Sequence, residues 1–212
     1  MHDKKQIPPS AGRRDFIKNS TAVIGGSLLA SSIPLHLSAH GGSRDNLNIA
    51  LIGCGGRGSG AVVNALSTKG NVSLIAMADV FRDKLDDAYN NLSKINRIKD
   101  LIHVPEQNKF TGFDAYEKVL ALKEVVVVLL VTPPAFRPIH FEASVQAGKH
   151  VFMEKPLACD APGIRKILAT GELADKKNIK VVVGLQNRYD PGYIDMVTQL
   201  KGGVIGDIVS AS

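Results

Sequence analysis

The chain has 212 residues, of which 44% are hydrophobic and 22% charged, as is typical of a globular protein. Half of its net charge of +6 comes from the first 39 residues, which hold five Lys or Arg and two Asp. Because no Lys/Arg run or aromatic–basic alternation follows, nucleic acid is not an expected partner. The two cysteines, Cys54 and Cys159, fit no metal spacing, so no metal is expected. We interpret both as small buried residues, with a disulfide after export as the alternative.

A basic motif followed by an apolar stretch occupies the first 39 residues. Residues 12–18, Gly-Arg-Arg-Asp-Phe-Ile-Lys, resemble the twin-arginine export signal, which directs already folded proteins across the membrane. The stretch 21–37 is interrupted by Gly, Pro and His and is too short for a stable membrane span. We therefore expect residues 1–39 to be a signal peptide that is read by the twin-arginine machinery and leads to the periplasm. A disordered basic tail is the alternative.

Apolar runs alternate with helical patterns over residues 46–190, which predicts a doubly wound, mostly parallel α/β sheet of the Rossmann type. Residues 125–131 contain no polar side chain and are expected to form a central strand. Residues 92–107 fit no element and are expected to be a mobile insertion. The other expected strands cover residues 47–52, 72–78, 150–153 and 180–184. The expected helices cover residues 59–67, 113–122, 138–147 and 161–174, and a further helix begins near residue 82.

A glycine loop follows the first predicted strand. Its sequence, Gly53-Cys54-Gly55-Gly56-Arg57-Gly58, is a G-x-G-x-x-G motif with a strand before it and a helix after it, which indicates dinucleotide binding. The first glycine permits the tight turn, the second lets the backbone approach a pyrophosphate, and the last lets helix and strand pack closely. The pyrophosphate is expected at the helix N-terminus. The expected cofactor contacts are Gly53, Gly55, Gly56, Arg57 and Gly58.

An acidic residue ends the second predicted strand. Asp79 lies 21 positions beyond Gly58 (79 − 58), close to the spacing expected for the acid that binds the adenosine ribose. Its charge would repel a 2′-phosphate, which favours NAD. Arg82 could pair with that phosphate instead, so NADP is the alternative. The competing interpretation is that the glycines form an ordinary turn and that Asp79 caps the next helix.

A second motif makes a family resemblance specific. Residues 147–156, Ala-Gly-Lys-His-Val-Phe-Met-Glu-Lys-Pro, occur together with the glycine loop, with Thr132-Pro133-Pro134 and with residues 184–189 and 203–208. In this order the motifs resemble the glucose–fructose oxidoreductase/inositol dehydrogenase (Gfo/Idh/MocA) family. The resemblance implies that Lys155 is the catalytic lysine, half-buried beside the nicotinamide and the reacting hydroxyl. It also implies cofactor contacts from Thr132, Pro133 and Glu154. Glu154 is further expected to help fix its loop and to contact Lys155, and Arg188 is the candidate for contact with substrate or nicotinamide.

The resemblance also implies a second α/β domain that carries further acid/base residues and forms the oligomer interface. Residues 191–212 are expected to begin that domain, with its first strand at residues 207–211, so the chain is expected to be truncated and inactive alone. The expected activity of the full-length protein, a homo-oligomer, is NAD(P)-dependent hydride transfer to or from a sugar, polyol or sugar derivative. One alternative is an NAD-dependent glycosidase that acts by oxidation and elimination. The other is a non-catalytic dinucleotide-binding module.

Overall fold

The computed structural model describes residues 46–207 and 209–210. The expected signal peptide lies outside these residues. Among the described residues, no helix combines the length and the apolar character that a membrane crossing would need.

The described part of the chain forms one six-stranded sheet with helices on both faces. All neighbouring strands are parallel, in the order β3-β2-β1-β4-β5-β6. The strands are β1 Leu47–Ile52, β2 Val72–Asp79, β3 Lys109–Thr111, β4 Val127–Leu130, β5 His150–Met153 and β6 Val181–Val183. The helices are α1 Gly56–Leu66, α2 Arg82–Ser93, α3 Ala115–Ala121, α4 Arg137–Gln146, α5 Ala161–Lys176 and α6 Pro191–Lys201. This is the doubly wound Rossmann sheet that the sequence predicts.

Alternation along the strands produces two cores, one on each face of the sheet. In β1, Ala50 and Ile52 point into one core, and Ile49 and Leu51 point into the other. Successive side chains of a strand face opposite sides, so a strand that is buried on both faces has to be apolar throughout. The expectation for residues 125–131 is met in this way, because β4 lies between β1 and β5.

Residues 92–107 are packed against the sheet, so the expectation of a mobile insertion is wrong. After α2 the chain forms two short 3₁₀ helices, Lys99–Leu101 and Glu106–Asn108. Ile98 and Val104 are buried in the core on the α1/α2 face. The segment then leads into β3, which the sequence analysis did not predict.

Two further differences concern the start of α1 and the last described residues. α1 begins at Gly56 rather than at residue 59, because the second half of the glycine loop already forms its first turn. Residues 191–201 form α6, whose N-cap Asp190 accepts a hydrogen bond from the Tyr193 N–H at 3.1 Å. Of the strand expected at residues 207–211, the described residues 207, 209 and 210 lie in none of the six strands. That residues 191–212 begin a second domain remains a prediction.

Candidate functional site

A cavity of about 700 Å³ opens at the carboxyl edge of the sheet. The chain leaves β1 toward one side of the sheet and leaves β4 toward the other, and ligands of such sheets bind in the crevice at this switch point. Side chains or backbone from the glycine loop, the end of β2 and the loops after β4 and β5 line the cavity. These include the predicted site residues Gly53, Gly55, Arg57, Asp79, Thr132, Pro133, Glu154 and Lys155.

Two glycines of the loop bring its backbone close to the neighbouring chain. Gly53 has φ +102°, and a Cβ there would lie 2.7 Å from the carbonyl carbon of Val131. A Cβ on Gly58 would overlap the carbonyl oxygen of Gly53 and lie 3.2 Å from the Leu51 Cδ1. Both positions therefore exclude a side chain, and α1 can pack directly against the turn that leaves β1.

The start of α1 has the properties of an anion site. Its N-cap is Gly55, no side chain caps it, and no acidic residue lies in its first turn. The first N–H groups of a helix lack intrahelical acceptors, and the helix dipole favours negative charge there. A Cβ on Gly55 or Gly56 would meet no atom within 4 Å, so there is open space in front of these groups. The loop therefore fits the pyrophosphate of a dinucleotide.

Asp79 connects the end of β2 to the glycine loop. Its Oδ2 accepts a hydrogen bond from the Cys54 N–H at 2.7 Å, and its Oδ1 accepts one from the Phe81 N–H at 3.0 Å. The N-cap of α2 is Phe81, and that helix has no side-chain cap. Asp79 therefore does not cap α2, and its half-buried carboxylate lies on the cavity wall. Ribose binding by Asp79 remains a prediction.

The loop cysteine is buried, as predicted, whereas the second cysteine is not. Burial, assisted by the nearby carboxylate of Asp79, raises the pKa of the Cys54 thiol, so the thiol stays protonated. Cys159 is exposed in the loop before α5, which corrects the interpretation of both cysteines as buried. Both are free thiols in the structure.

Arg82 points away from the cavity. Its Nε donates to Asp86 Oδ2 at 2.8 Å, and a terminal nitrogen is paired with Glu106. Lys84 and Phe81 line the cavity instead, because residues three positions apart share one side of a helix whereas Arg82 and Lys84 do not. Lys84, which the sequence analysis missed, is therefore the cation of α2 that lines the cavity.

Glu154 joins the end of β5 to the glycine loop. It is 3% exposed and accepts hydrogen bonds from Arg57, at 2.8 Å from Nε and also from a terminal nitrogen. Glu154 also lines the cavity, and its expected contact with the cofactor remains a prediction. A Cβ at position 184 would lie 2.6 Å from Glu154 Oε1, so Gly184 leaves the space that this carboxylate fills. The Arg57–Glu154 pair thus holds two loops of the site together.

Lys155 lies on the cavity wall, and its side chain is exposed, not half-buried as expected. It is followed by a cis peptide bond to Pro156. Thr132 and Pro133, which follow the neighbouring strand β4, also line the cavity. The structure therefore brings the predicted catalytic lysine to the same cavity as the predicted cofactor residues.

Arg188 is not brought to this cavity. It is exposed in a 3₁₀ helix, Gln186–Arg188, that follows β6. It is absent from the cavity wall, so its predicted contact with substrate remains a prediction.

Besides Lys84, the sequence analysis missed two site residues, both on α4. Arg137 is buried, and its guanidinium donates to the carbonyl oxygens of Thr132 and Pro156. Within the described part of the chain its Nε has no hydrogen-bond partner, and burial lowers the pKa of the guanidinium. A cation in the first turn of a helix opposes the helix dipole, and this was the sequence signal that could have marked it.

His140 lies beside Arg137 and supports the loop after β4. Burial, reinforced by the charge of Arg137, lowers the pKa of His140 to about 4, so its imidazole is neutral near pH 7. Its Nδ1 is 3.1 Å from Thr132 Oγ1, and its ring lies 4.3 Å from the ring of Tyr116, centroid to centroid. The histidine therefore fixes the side chain of Thr132 without adding charge.

The charged side chains on the cavity wall are mainly cationic. Four are positive and two are negative: Arg57, Lys84, Arg137 and Lys155 against Asp79 and Glu154. An excess of positive charge with an uncapped helix start suits an anionic dinucleotide. Within the described ranges, no group of three or more His, Cys, Asp or Glu residues gathers as a metal site would require.

Comparison with known proteins places this chain in a family. A family described as "Oxidoreductase family, NAD-binding Rossmann fold" matches residues 47–185. Inositol 2-dehydrogenase of Agrobacterium fabrum is 30% identical over 149 residues, 70% of this chain and 39% of the relative. A glycosyl hydrolase family 109 protein of a Shewanella strain (W3-18-1) is 26% identical over 216 residues, 93% of this chain and 44% of the relative. The chain thus spans less than half the length of these relatives.

A solved structure agrees with these relatives. Scyllo-inositol dehydrogenase of Lactobacillus casei, with bound NAD(H) and scyllo-inositol, superposes with a TM-score of 0.60 at 25% identity. The match covers 77% of this chain and 43% of that chain. The family match extends from β1 through β6 and includes both the glycine loop and the Lys155 motif. The chain therefore belongs to the Gfo/Idh/MocA oxidoreductase family and has its NAD-binding Rossmann fold.

Proposed function

We propose that the whole protein is an NAD-dependent oxidoreductase that transfers hydride between the nicotinamide and a hydroxyl-bearing carbon of a sugar, polyol or sugar derivative. The observation that carries the proposal is the cavity at the switch point, where the uncapped start of α1, Asp79 and Lys155 meet. Family membership and relatives that act on inositol support the substrate class.

Each group has a distinct part in this proposal. The N–H groups at the start of α1 bind the pyrophosphate, and Asp79 accepts hydrogen bonds from the adenosine ribose. Bound NAD supplies the hydride acceptor. The neutral amine of Lys155 accepts a hydrogen bond from the substrate hydroxyl and takes up its proton as hydride leaves the carbon that bears this hydroxyl. Thr132, placed by His140 and Arg137, forms part of the same cavity wall as Lys155.

Titration of the purified 212-residue chain with NADH and with NADPH tests the cofactor site. The signal is nicotinamide fluorescence, because the chain has no tryptophan. We expect saturable NADH binding that is tighter than NADPH binding. Asp79→Asn should weaken NADH binding about tenfold, as for the loss of a hydrogen bond to a charged group, and should narrow the gap to NADPH.

Asp87→Asn is the matched control, because Asp87 is an exposed carboxylate on α2, away from the cavity. It should leave both affinities unchanged. Absence of saturable NADH binding by the folded, monodisperse chain would contradict the assignment of the cofactor site to this half of the protein.

A glycosidase is the second candidate, because relatives described as glycosyl hydrolase family 109 proteins align with 93% of this chain. Such an enzyme would oxidise the sugar, eliminate the aglycone, add water and reduce the product, so the cofactor returns to its starting state. The whole protein, purified without added nucleotide, would then release nitrophenol from a nitrophenyl glycoside. Turnover that requires stoichiometric added NAD, with no release of aglycone, would favour the dehydrogenase.

We propose further that the protein is exported by the twin-arginine route. The motif at residues 12–18 supports this. The alignment with the Shewanella relative covers 93% of the chain and therefore includes part of residues 1–39. Replacing both Arg13 and Arg14 by Lys should leave the protein in the cytoplasmic fraction while the unchanged chain reaches the periplasm. Equal distribution of the two forms would contradict export by this route.

A further inference from the structure

One buried arginine connects the two loops that follow β4 and β5. Arg137 is the first residue of α4 and is 2% exposed. One terminal nitrogen of its guanidinium donates to the carbonyl oxygen of Thr132, and the other donates to that of Pro156. Because the guanidinium is rigid and planar, these two hydrogen bonds fix the separation between the two carbonyls.

The backbone around Lys155 has few other restraints. The ladder between β4 and β5 ends with the hydrogen bond from the Glu154 N–H to the Leu130 carbonyl oxygen at 3.1 Å. Between described residues, the hydrogen bond from Arg137 is the only one recorded at Lys155 or Pro156. Proline has no N–H with which to form another. Arg137 therefore supplies the hydrogen bond that holds the Lys155–Pro156 segment.

Burying the Arg137 guanidinium without a carboxylate partner costs free energy. Among residues 46–207, no carboxylate lies within ion-pair distance of Arg137, and the nearby carboxylate of Glu154 is already paired with Arg57. The buried Nε of Arg137 finds no partner among the same residues. An apolar side chain of similar size avoids both the desolvated charge and the unsatisfied donor, so packing alone does not account for an arginine here.

We propose that Arg137 is a positioning residue for Lys155: it holds the Lys155–Pro156 backbone against the end of β4, so that the Lys155 amine reaches the nicotinamide end of the bound dinucleotide. The inference rests on the function proposed above. His140 secures the side chain of Thr132, and Arg137 secures its carbonyl, so the same wall is fixed from two sides.

The chain offers a matched control in a second buried cation. Lys149 is 7% exposed, and its Nζ donates to two carbonyl oxygens, those of Leu122 at 2.7 Å and Val125 at 2.8 Å. These contacts lie at the amino edge of β4 and β5, at the end of the sheet opposite the cavity. Its loss removes the same kind of interaction without touching the site.

The test compares Arg137→Met, Arg137→Lys and Lys149→Met in the 212-residue chain. Hydrogen–deuterium exchange of the Glu154 N–H, which is bonded to the Leu130 carbonyl oxygen where the Lys155 loop begins, reports the order of that loop (loop exchange). NADH titration reports both affinity and the nicotinamide fluorescence at saturation. For Arg137→Met we expect loop exchange and the Kd for NADH each to rise about tenfold, the factor for one lost hydrogen bond to a charged group. The nicotinamide fluorescence at saturation should change as well.

Arg137→Lys keeps the charge and one donor and should recover part of each effect, and it provides the result if Arg137→Met fails to fold. Lys149→Met should lower the melting temperature while leaving loop exchange and NADH binding at wild-type values. Unchanged exchange and binding in both Arg137 variants would overturn the proposal, and so would equal changes in Lys149→Met. Failure of the unchanged chain to bind NADH would contradict the proposed function instead, whereas the exchange data would still decide the role of Arg137.

Discussion

The two edges of the sheet each bury a cation that binds two backbone carbonyls, but with different results. At the amino edge, Lys149 donates to Leu122 and Val125 within normal hydrogen-bond distances. At the carboxyl edge, Arg137 bridges two loops, and its Nε has no partner in the described structure. A buried cation therefore binds two carbonyl oxygens at each edge, but the cation at the carboxyl edge also has a buried nitrogen without a hydrogen-bond partner.

The difference extends to the surroundings of each cation. Next to Lys149, Gly148 follows α4 with φ +74° and a turn leads directly into β5. Next to Arg137 lie a cavity and a neutral buried histidine, and the uncapped start of α1 faces the same cavity. Polar groups without partners and a helix start without a cap cost stability. The unpartnered Nε belongs to a residue of the cavity wall, and the open start of α1 borders the same cavity, so both features suit this edge to a ligand.

The largest effect on stability is expected at Gly58, where α1 packs against the turn that leaves β1. Gly58→Ala would place a Cβ against the carbonyl oxygen of Gly53, and relief requires α1 to move away from β1. We expect a loss of about 3 kcal/mol in the free energy of unfolding, as for overpacking of a close contact, together with loss of NADH binding. Urea denaturation and NADH titration measure the two effects.

Gly171→Ala is the control for this substitution. Gly171 lies inside α5, and a Cβ there would meet nothing within 4 Å. Alanine should therefore raise the free energy of unfolding by about 0.5–1 kcal/mol through its better helix propensity. Equal effects of the two substitutions would show that α1 and β1 are not in the close contact described here.

The next effect concerns the histidine beside Arg137. Burial lowers the pKa of His140 to about 4, below its usual 6.5. Between these two values the unfolded chain binds a proton that the folded chain does not. The contribution of this group to stability is therefore complete above pH 6.5 and is lost as the pH falls through 4, by about 3 kcal/mol in all.

Replacing His140 by Gln should remove this component from the pH dependence of the free energy of unfolding. His103→Gln serves as the control, because His103 is exposed. Chemical denaturation at about pH 4.5 and about pH 7, on either side of the usual histidine pKa, gives the comparison. If the His140→Gln variant and the wild-type protein lose the same free energy between these pH values, His140 is not held neutral by burial.

Local sequence patterns predicted the central strands, the glycine loop and the order of the elements. β1 and β5 appear at the residues expected, because each is a mainly apolar run bounded by turn residues. β3 was missed because it has only three residues and no periodicity to recognise. α6 was also missed, although Asp190-Pro191 is a common N-cap and first-turn pair that could have indicated it.

The side-chain network of the site was less predictable than the fold. Glu154 pairs with a residue 97 positions away, and Arg137 binds carbonyls in two separate loops. Such contacts depend on the three-dimensional approach of loops, and spacing along the chain does not encode it. The sequence therefore predicted many of the residues that line the cavity, whereas the structure identified the side-chain contacts that hold the surrounding loops.

The smallest effect tests which cation near Asp79 faces the dinucleotide. Arg82 was the candidate partner of a 2′-phosphate, but its guanidinium is paired with Asp86 and Glu106 outside the cavity, and Lys84 lines the wall instead. We expect Arg82→Ala to leave the Kd values of NADH and NADPH unchanged within about twofold, because exposed ion pairs contribute little and none of these contacts reaches the cavity. Lys84→Ala should weaken the binding of both nucleotides severalfold, and that of NADPH more than that of NADH, because the 2′-phosphate adds negative charge next to this position.

A loss of NADPH affinity in Arg82→Ala that exceeds the loss in Lys84→Ala would mean that Arg82 leaves its two carboxylates when the nucleotide binds. The carboxyl edge would then rearrange on binding, whereas the amino edge, where Lys149 is already bound to both of its carbonyls, would have no reason to change.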